Sequence, residues 1–313
     1  MILLLQYTLL FASVLMLVAL GGCFSEHSGI INLGLEGIMV IGALGGAITM
    51  NVLDVSLSPF IIIILVSLMA CFSGMIYSSL LAIASIHFKA DQTLVGTALN
   101  LMSVAIASVV VRAINTSINP DNVSTTLQCI DSKKAFIINI NGFEFNWFML
   151  MAFIALVIAH ILLYKTRFGL RLIACGENPH AADSLGINVY KMRWAGVLLS
   201  GILGGLGGLV YIMAGVSEWK FEMGVAGFGF LSLAVMIFGE WKPSRIALAA
   251  LLFGFFRSLS NIYTGFDFLV SLGLDSKIYN MLPYIISLIV LAFSSMNSKA
   301  PKAEGIPYDK SSR

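Results

Sequence analysis

The sequence predicts an all-α polytopic membrane protein with about nine transmembrane helices, in a range of roughly eight to ten, and three observations carry that reading. Apolar residues fill 58% of the 313 positions and charged residues 11%, whereas a soluble domain carries about 25% charged residues. Mean hydropathy is +0.94. The apolar residues fall into runs near the length that crosses a bilayer as a helix, about 20 residues. Lys and Arg gather in a few segments between those runs.

In order, the spans read as Ile2–Leu20, Ile30–Met50, Phe60–Ile86, Thr93–Val111, Trp147–Tyr164, Trp194–Val216, Gly224–Gly239, Ile246–Leu259 and Tyr279–Phe293. The first lacks a basic n-region and is expected to be a retained span, not a cleaved signal peptide. Phe60–Ile86 is long enough to tilt or break, while Gly224–Gly239 and Ile246–Leu259 are short for a crossing. Orientation follows positive charge. Lys165, Arg167, Arg171, Lys191 and Arg193 flank one polar segment, and Lys299, Lys302, Lys310 and Arg313 mark the tail. Both are expected in the cytoplasm, together with Lys89, Lys242 and Arg245. The N-terminus and the segment 113–146, which carries Arg112 at its edge and Asp131, Lys133, Lys134 and Glu144 within it, then fall outside. There "KKAFIINING" and "FEFNWF" alternate weakly, which predicts a short hairpin.

One membrane domain is expected over 1–297, with an external loop at 114–145, a cytoplasmic loop at 165–193 and a polar, mobile cytoplasmic tail at 298–313. Of Cys23, Cys71, Cys129 and Cys175, only Cys129 lies on the outer side, so no intramolecular disulfide is expected. The net charge of +2 gives no case for nucleic acid.

The polar segment "ACGENPHAADSLGINVYK", Ala174 to Lys191, interrupts this apolar chain. Phe168-Gly169 is placed to end the preceding span. Asn178 is placed to cap free amides, Pro179 suits a first helical position, and Gly186 supplies a stop. A two-turn helix from Pro179 to Leu185 results, with Ala181 and Ala182 leaving one face thin. A helix so short is unstable alone in water, so a partner or the flanking spans must hold it. An ordinary loop containing a helical turn is the plainer alternative; caps at both ends and cationic flanks favour a docking element.

Polar groups inside the spans are few. Asn32 and Glu36 share a helix face if "INLGLEGIMVIGALGGA" is helical throughout. They either bind a hydroxylated ligand on the solute path, or Glu36 complements a helix dipole or caps a broken helix. Asn100 and Gln92 suit inter-helix hydrogen bonds, with the solute path as the alternative for Asn100. Phe228 and Phe230 either stack on a base or sugar face or pack. Arg257 either snorkels to the outer interface or faces the conduit. "GILGGLGG", Gly201 to Gly208, reads as a close-packing seam and not a phosphate loop. His27, His87, His160 and His180 do not fall at metal-ligand spacing. No Ser-His-Asp arrangement and no P-loop motif occur. Neither catalysis nor a metal is expected, and any ATP would be bound by a separate subunit.

Four stretches together resemble a known family. "HAADSLG", from His180, resembles the E-A-A-x-x-x-G loop of ABC importer permeases, with His180 where Glu is usual. The wider "GLRLIACGENPHAADSLGINVYKMRWAG" is similar to the cytoplasmic loop of permeases in the branched-chain amino acid, simple sugar and nucleoside group. "EHSGIINLGLEGIMVIGA" resembles that group's N-terminal signature. "DQTLVGTALNL" and "GFGFLSLAVMIFGEWKPSRIALAALLFG" resemble its shorter nucleoside-type subunits.

The resemblance implies the transmembrane subunit of an ATP-driven importer in a bacterial inner membrane. It would move a nucleoside, purine nucleosides foremost, or a simple sugar by alternating access. It implies that Asn178, Pro179, His180, Ala181, Ala182 and Gly186 form a coupling helix docked on an ATP-binding subunit. It further implies a second, different permease and an extracytoplasmic solute-binding lipoprotein as partners, with lipid around the spans. An ion-gradient-driven transporter with Glu36 as the coupling group is the rival reading.

Overall fold

The computed structural model describes residues 2–53, 56–127, 136–140, 143–214, 219–271, 273, 275–294 and 299–310. Val216, Cys129, Asp131, Lys133, Lys134 and Arg313 lie outside the described residues. Helices dominate. They are α1 (Ile2–His27), α2 (Leu35–Val52), α3 (Pro59–Ala82, continued by a π turn at Ile83–His87), α4 (Gln92–Ile118), α5 (Trp147–Lys165), α6 (Arg167–Glu177), α7 (Pro179–Ser184), α8 (Val189–Ala214), α9 (Phe228–Phe238), α10 (Pro243–Ile262), α11 (Asp267–Ser271) and α12 (Ser276–Ser294). The expected hairpin is present: β1 (Ile137–Ile140) pairs antiparallel with β2 (Phe143–Asn146).

Seven described helices are long and apolar enough to cross a membrane. Two expected spans differ in kind. Residues 28–34 are not helical, so the run that opens at Ile30 becomes a helix only from Leu35. Asn32 therefore lies in the preceding turn and shares no helix face with Glu36. Within Gly224–Gly239, only Phe228–Phe238 forms an α-helix, eleven residues long and well short of a crossing. The run expected at Ile246–Leu259 grows instead to the 20-residue α10, started by Pro243. Gly169 does not end a span. Lys165 ends α5, and the Thr166 side chain accepts a hydrogen bond from Gly169 N to start α6.

Polar contacts gather at the two ends of the bundle. At one end, Trp241 Nε1 donates to Glu26 (2.5 Å), and a His27 ring nitrogen lies 3.0 Å from the Trp241 carbonyl. Trp194 Nε1 lies 3.1 Å from His87 Nε2, and Glu240 pairs with Arg245 and with Lys299 (2.7 Å). At the other end, Gln6 donates to Glu144 (3.0 Å), and Asn115 donates to the carbonyls of Ser124 and Thr126. These ion pairs thus lie beyond the apolar runs.

α1 and α8 are the interior helices, with α8 packed on α1, α2 and α3. Lipid tails are as apolar as the side chains, so helix association in a bilayer depends on close packing. The "GILGGLGG" seam provides it. A Cβ on Gly205 would stand 2.4 Å from the Ala70 carbonyl and 3.0 Å from Gly74 Cα, and one on Gly42 would stand 2.2 Å from Gly205 Cα. Neither neighbour is a flexible side chain that can move aside. Gly205→Val is therefore expected to prevent α2, α3 and α8 from closing and to remove most monodisperse, detergent-extracted protein. Gly265→Ala, with nothing within 4 Å of the added carbon, should leave the yield unchanged in the same size-exclusion assay.

Candidate functional site

A polar break lies between α2 and α9. Gly37 N donates to Asn100 Oδ1 at 2.8 Å. Asn100 is eight residues into α4, which places the start of α2 about 12 Å below the Gln92 end. α9 begins at the same depth: Gly227 N donates to Glu36 Oε1 (2.8 Å) and Gly229 N to Glu36 Oε2 (2.7 Å). From there α2 runs to one end of the bundle, and α9 runs back to Gly239–Trp241 at the other. Two helix N-termini thus meet, each the positive end of its dipole and each carrying unsatisfied amides. The Glu36 carboxylate lies between them and supplies both the charge and the acceptors. Gly229 makes the approach possible, since a Cβ there would stand 2.4 Å from Glu36 N.

The loop before α2 is built on the same principle, because no water is available inside a bilayer to satisfy its backbone. Ile31 N donates to Gln92 Oε1 (2.7 Å), and Asn100 Nδ2 donates to the Leu33 carbonyl (2.8 Å). Asn32 Oδ1 accepts from Gly34 N, and Asn32 Nδ2 donates to Ser200 Oγ at 2.8 Å. Of the readings open to Glu36, capping a broken helix is the geometry present. The amides of Asn32 and Asn100 hold the backbone of the break.

Four residues expected on the solute path, Asn32, Glu36, Asn100 and Phe228, meet here. Phe228 is fully buried, its ring 4.5 Å from that of Tyr211 and 5.7 Å from that of Phe11. Phe230 projects outward and is 49% exposed. Arg257 lies over this cluster, its guanidinium carbon 5.3 Å from the Phe228 ring centroid and 5.9 Å from that of Phe11. Tyr211, Ser200 and Tyr284, whose hydroxyl donates to the Ala226 carbonyl at 2.7 Å, belong to the cluster and were not legible as site residues. They are scattered through apolar runs, and nothing local distinguishes them.

The second candidate surface is α7. Asn178 Oδ1 accepts from Ala181 N (3.0 Å), Pro179 is buried at the first position, and Gly186 ends the segment with φ +78°. Ala182 is 2% exposed and packs with Cys175, Val189 and Tyr308, so it faces inward. His180, Ala181, Ser184 and Leu185 form the outer face, where Leu185 is 82% exposed. The exposure of Leu185 is not legible in the sequence, because a lone Leu beside a glycine stop looks like the end of the apolar face.

The tail, expected as mobile, packs over 299–310. Ala303 N donates to the Gly176 carbonyl (2.8 Å), Arg193 Nη2 to the Ile306 carbonyl (3.0 Å) and Gly305 N to the Gly29 carbonyl (3.3 Å). Tyr308 sets its ring 5.2 Å from that of His180 and 5.4 Å from that of Tyr190. The tail thereby ties α7 and α6 to the ends of α1 and α8. Among the described residues, no group of three or more His, Cys, Asp or Glu is arranged to hold a metal.

Two measurements check these arrangements. Glu36→Gln keeps one carbonyl oxygen but replaces the other acceptor with a donor that faces an amide. Hydrogen bonds to charged groups are worth about 1.5–3 kcal/mol, so the variant should unfold several degrees below wild type in a detergent thermal-shift assay. Glu36→Asp, which keeps both acceptors, should lose less. In the tail, burial pushes the Glu304 carboxyl up to about 7. The neutral acid is the form that packs, so its contribution is complete below the ordinary carboxylate value of about 4.3 and is lost as pH rises through about 7. Hydrogen exchange at the Ala303 and Gly305 amides, corrected for intrinsic rate, should therefore accelerate from pH 6 to pH 8. Glu304→Gln should remove that acceleration.

Comparison with known proteins bears on both surfaces. The family model described as branched-chain amino acid transport system / permease component matches residues 4–293. The chain is 40% identical to the nucleoside ABC transporter permease protein NupC of Lactococcus lactis subsp. cremoris, over 97% of this chain and 95% of that one. It is 38% identical to the guanosine ABC transporter permease protein NupQ of Bacillus subtilis, over 98% of this chain and 96% of that one. A second Lactococcus permease, the nucleoside ABC transporter permease protein NupB, is 27% identical over 62% of this chain and 53% of its own length. No solved structure matches.

Proposed function

Because this chain belongs to the permease-component family of branched-chain amino acid transport systems, a family of multi-pass transport subunits of ABC transporters, we propose that it is the membrane subunit through which an ATP-driven importer passes nucleosides. The observation that carries the solute class is near-full-length similarity, at 38–40% identity, to permeases named for nucleosides and guanosine. That favours nucleosides over the simple sugars left open by the sequence motifs. The positive-inside rule puts the end bearing α6, α7 and the tail in the cytoplasm of a bacterial inner membrane. ATP is bound there by a separate subunit, and the face made by His180, Ala181, Ser184 and Leu185 docks on it. NupC and NupB, two different permeases named in one organism, support a heterodimeric pore with a second permease. A solute-binding lipoprotein delivers from the opposite end.

The mechanism is alternating access. Closure of the ATP-binding subunits displaces α7. Through Tyr308 and the Ala303–Gly176 and Gly305–Gly29 hydrogen bonds, the tail carries that displacement to the end of α1. Trp241, bonded to Glu26, passes it to α9, whose other end is held at Glu36. The solute region and the coupling helix are therefore joined by packed structure. The ion-gradient alternative is disfavoured because Glu36 is already engaged by two backbone amides.

Uptake by the complete transporter in proteoliposomes tests the reading: labelled guanosine, inosine or uridine should enter with internal or external ATP supplied to the ATPase side, and not with an imposed proton or sodium gradient alone. Uptake driven by a gradient without ATP would overturn it. At the docking face, Leu185→Asp should lower transport at least ~10-fold and release the ATPase on detergent purification, because a charge would enter an apolar contact. Ala182→Arg should instead reduce folded protein, since Ala182 faces its own core.

A further inference from the structure

Arg257 lies five residues before the end of α10 and is partly buried. Among the described ion pairs none includes it, and its buried Nε has no hydrogen-bond acceptor. Glu36 is a carboxylate that shares two neighbours with Arg257, Tyr211 and Tyr284. Glu36 is already held by the amides of Gly227 and Gly229. What the fold does supply is a set of aromatic rings: Phe11 and Phe228 under the guanidinium, Tyr211 within hydrogen-bonding range, and Tyr284 beside it. Aromatic faces offset part of the cost of an embedded cation, but the rings of Phe11 and Phe228 accept no in-plane N–H bond, and the Tyr211 hydroxyl leaves Nε without an acceptor. Ionisable residues within transmembrane segments pair with one another or with backbone carbonyls, or mark solute pathways. The same cluster opens outward at Tyr284, 37% exposed, and at Phe230.

We propose that Arg257 is a solute-recognition residue at the break, and that its donors take the O6/N7 edge of a 6-oxopurine nucleoside during translocation. The chemistry selects this class. A guanidinium presents two parallel N–H donors, and a 6-oxopurine presents two adjacent acceptors, O6 and N7, in matching geometry. Adenosine places an amino donor where O6 would be, and in uridine the ring nitrogen between the two exocyclic oxygens carries a proton and donates. Neutral acceptors bind a guanidinium less strongly than a carboxylate or phosphate does, so the solute is held briefly and released. Phe230 and Tyr284, the exposed aromatics at the break, offer faces for the base. This inference rests on the nucleoside-import reading and adds the contact that distinguishes among nucleosides.

The test uses the complete transporter in proteoliposomes, with wild type, Arg257→Lys and Arg257→Gln compared. Initial uptake rates of guanosine, inosine and adenosine are measured at saturating solute and binding protein, so that discrimination during capture cancels. Wild type should move guanosine and inosine faster than adenosine, and both variants should lower that rate ratio about 10-fold or more. Arg257→Lys keeps the charge but loses the paired donors, so it should insert normally and still lose the ratio. An unchanged ratio in the variants, or an equal fall for all three nucleosides, would make Arg257 structural and overturn the proposal. Failure of both variants to accumulate in the membrane would do the same. Absence of any nucleoside uptake by wild type would instead overturn the function from which the proposal starts.

Discussion

Everything at the centre of this protein depends on one carboxylate placed where two helices begin. α2 and α9 leave the same depth in opposite directions, and each would leave amides without partners inside a medium that offers none. Glu36 accepts from both Gly227 and Gly229, and Gln92, Asn32 and Asn100 satisfy the loop that leads into it. A charge embedded in a membrane is expensive. Here the facing positive dipole ends supply the counter-charge that a basic side chain would otherwise have to provide. That is also why Arg257, though close by, is left to other partners.

A broken pair of helices needs a rigid surround, and the glycine seam of α8 supplies it. Gly201, Gly205 and Gly208 bring α8 against α3 and α2 at backbone contact, so the helices that carry the break cannot separate without losing a large packed surface. α7 is short, capped by Asn178 and ended by Gly186, and it rests on the tail and on Tyr190 through Tyr308. Hydrogen bonds join the tail to Gly176 and Gly29, and Trp241 to Glu26. α9 thus links the polar break at Glu36 to the Glu26–Trp241 contact beyond its other end.

The class of molecule and its short capped polar helix were legible locally. Apolar runs mark spans because bilayer thickness sets helix length, and Asn178-Pro179 with Gly186 marks a capped helix because those residues act on their own backbone. The β-hairpin was legible for the same reason, since alternation is a property of neighbours in sequence. The face of α7 was not. Ala182 looks as dockable as Ala181 until Cys175, Val189 and Tyr308 are seen to cover it. The tail looked mobile because polar residues are usually solvated, and only its distant partners, Gly176, Gly29 and Arg193, show otherwise.

The sequence by itself determined an all-α membrane permease with a capped polar loop between basic flanks, and it singled out Asn32, Glu36, Asn100 and Phe228 as the polar and aromatic exceptions within the spans. Only the tertiary structure decided what they do. Hydropathy does not separate a full span from a half-helix: 30–34 and 224–227 fall inside runs that read as single spans, and side chains more than sixty positions away in sequence hydrogen-bond their unwound backbone. Local physics sets which segments enter the membrane. Long-range satisfaction of buried backbone groups decides where a helix inside it is allowed to stop.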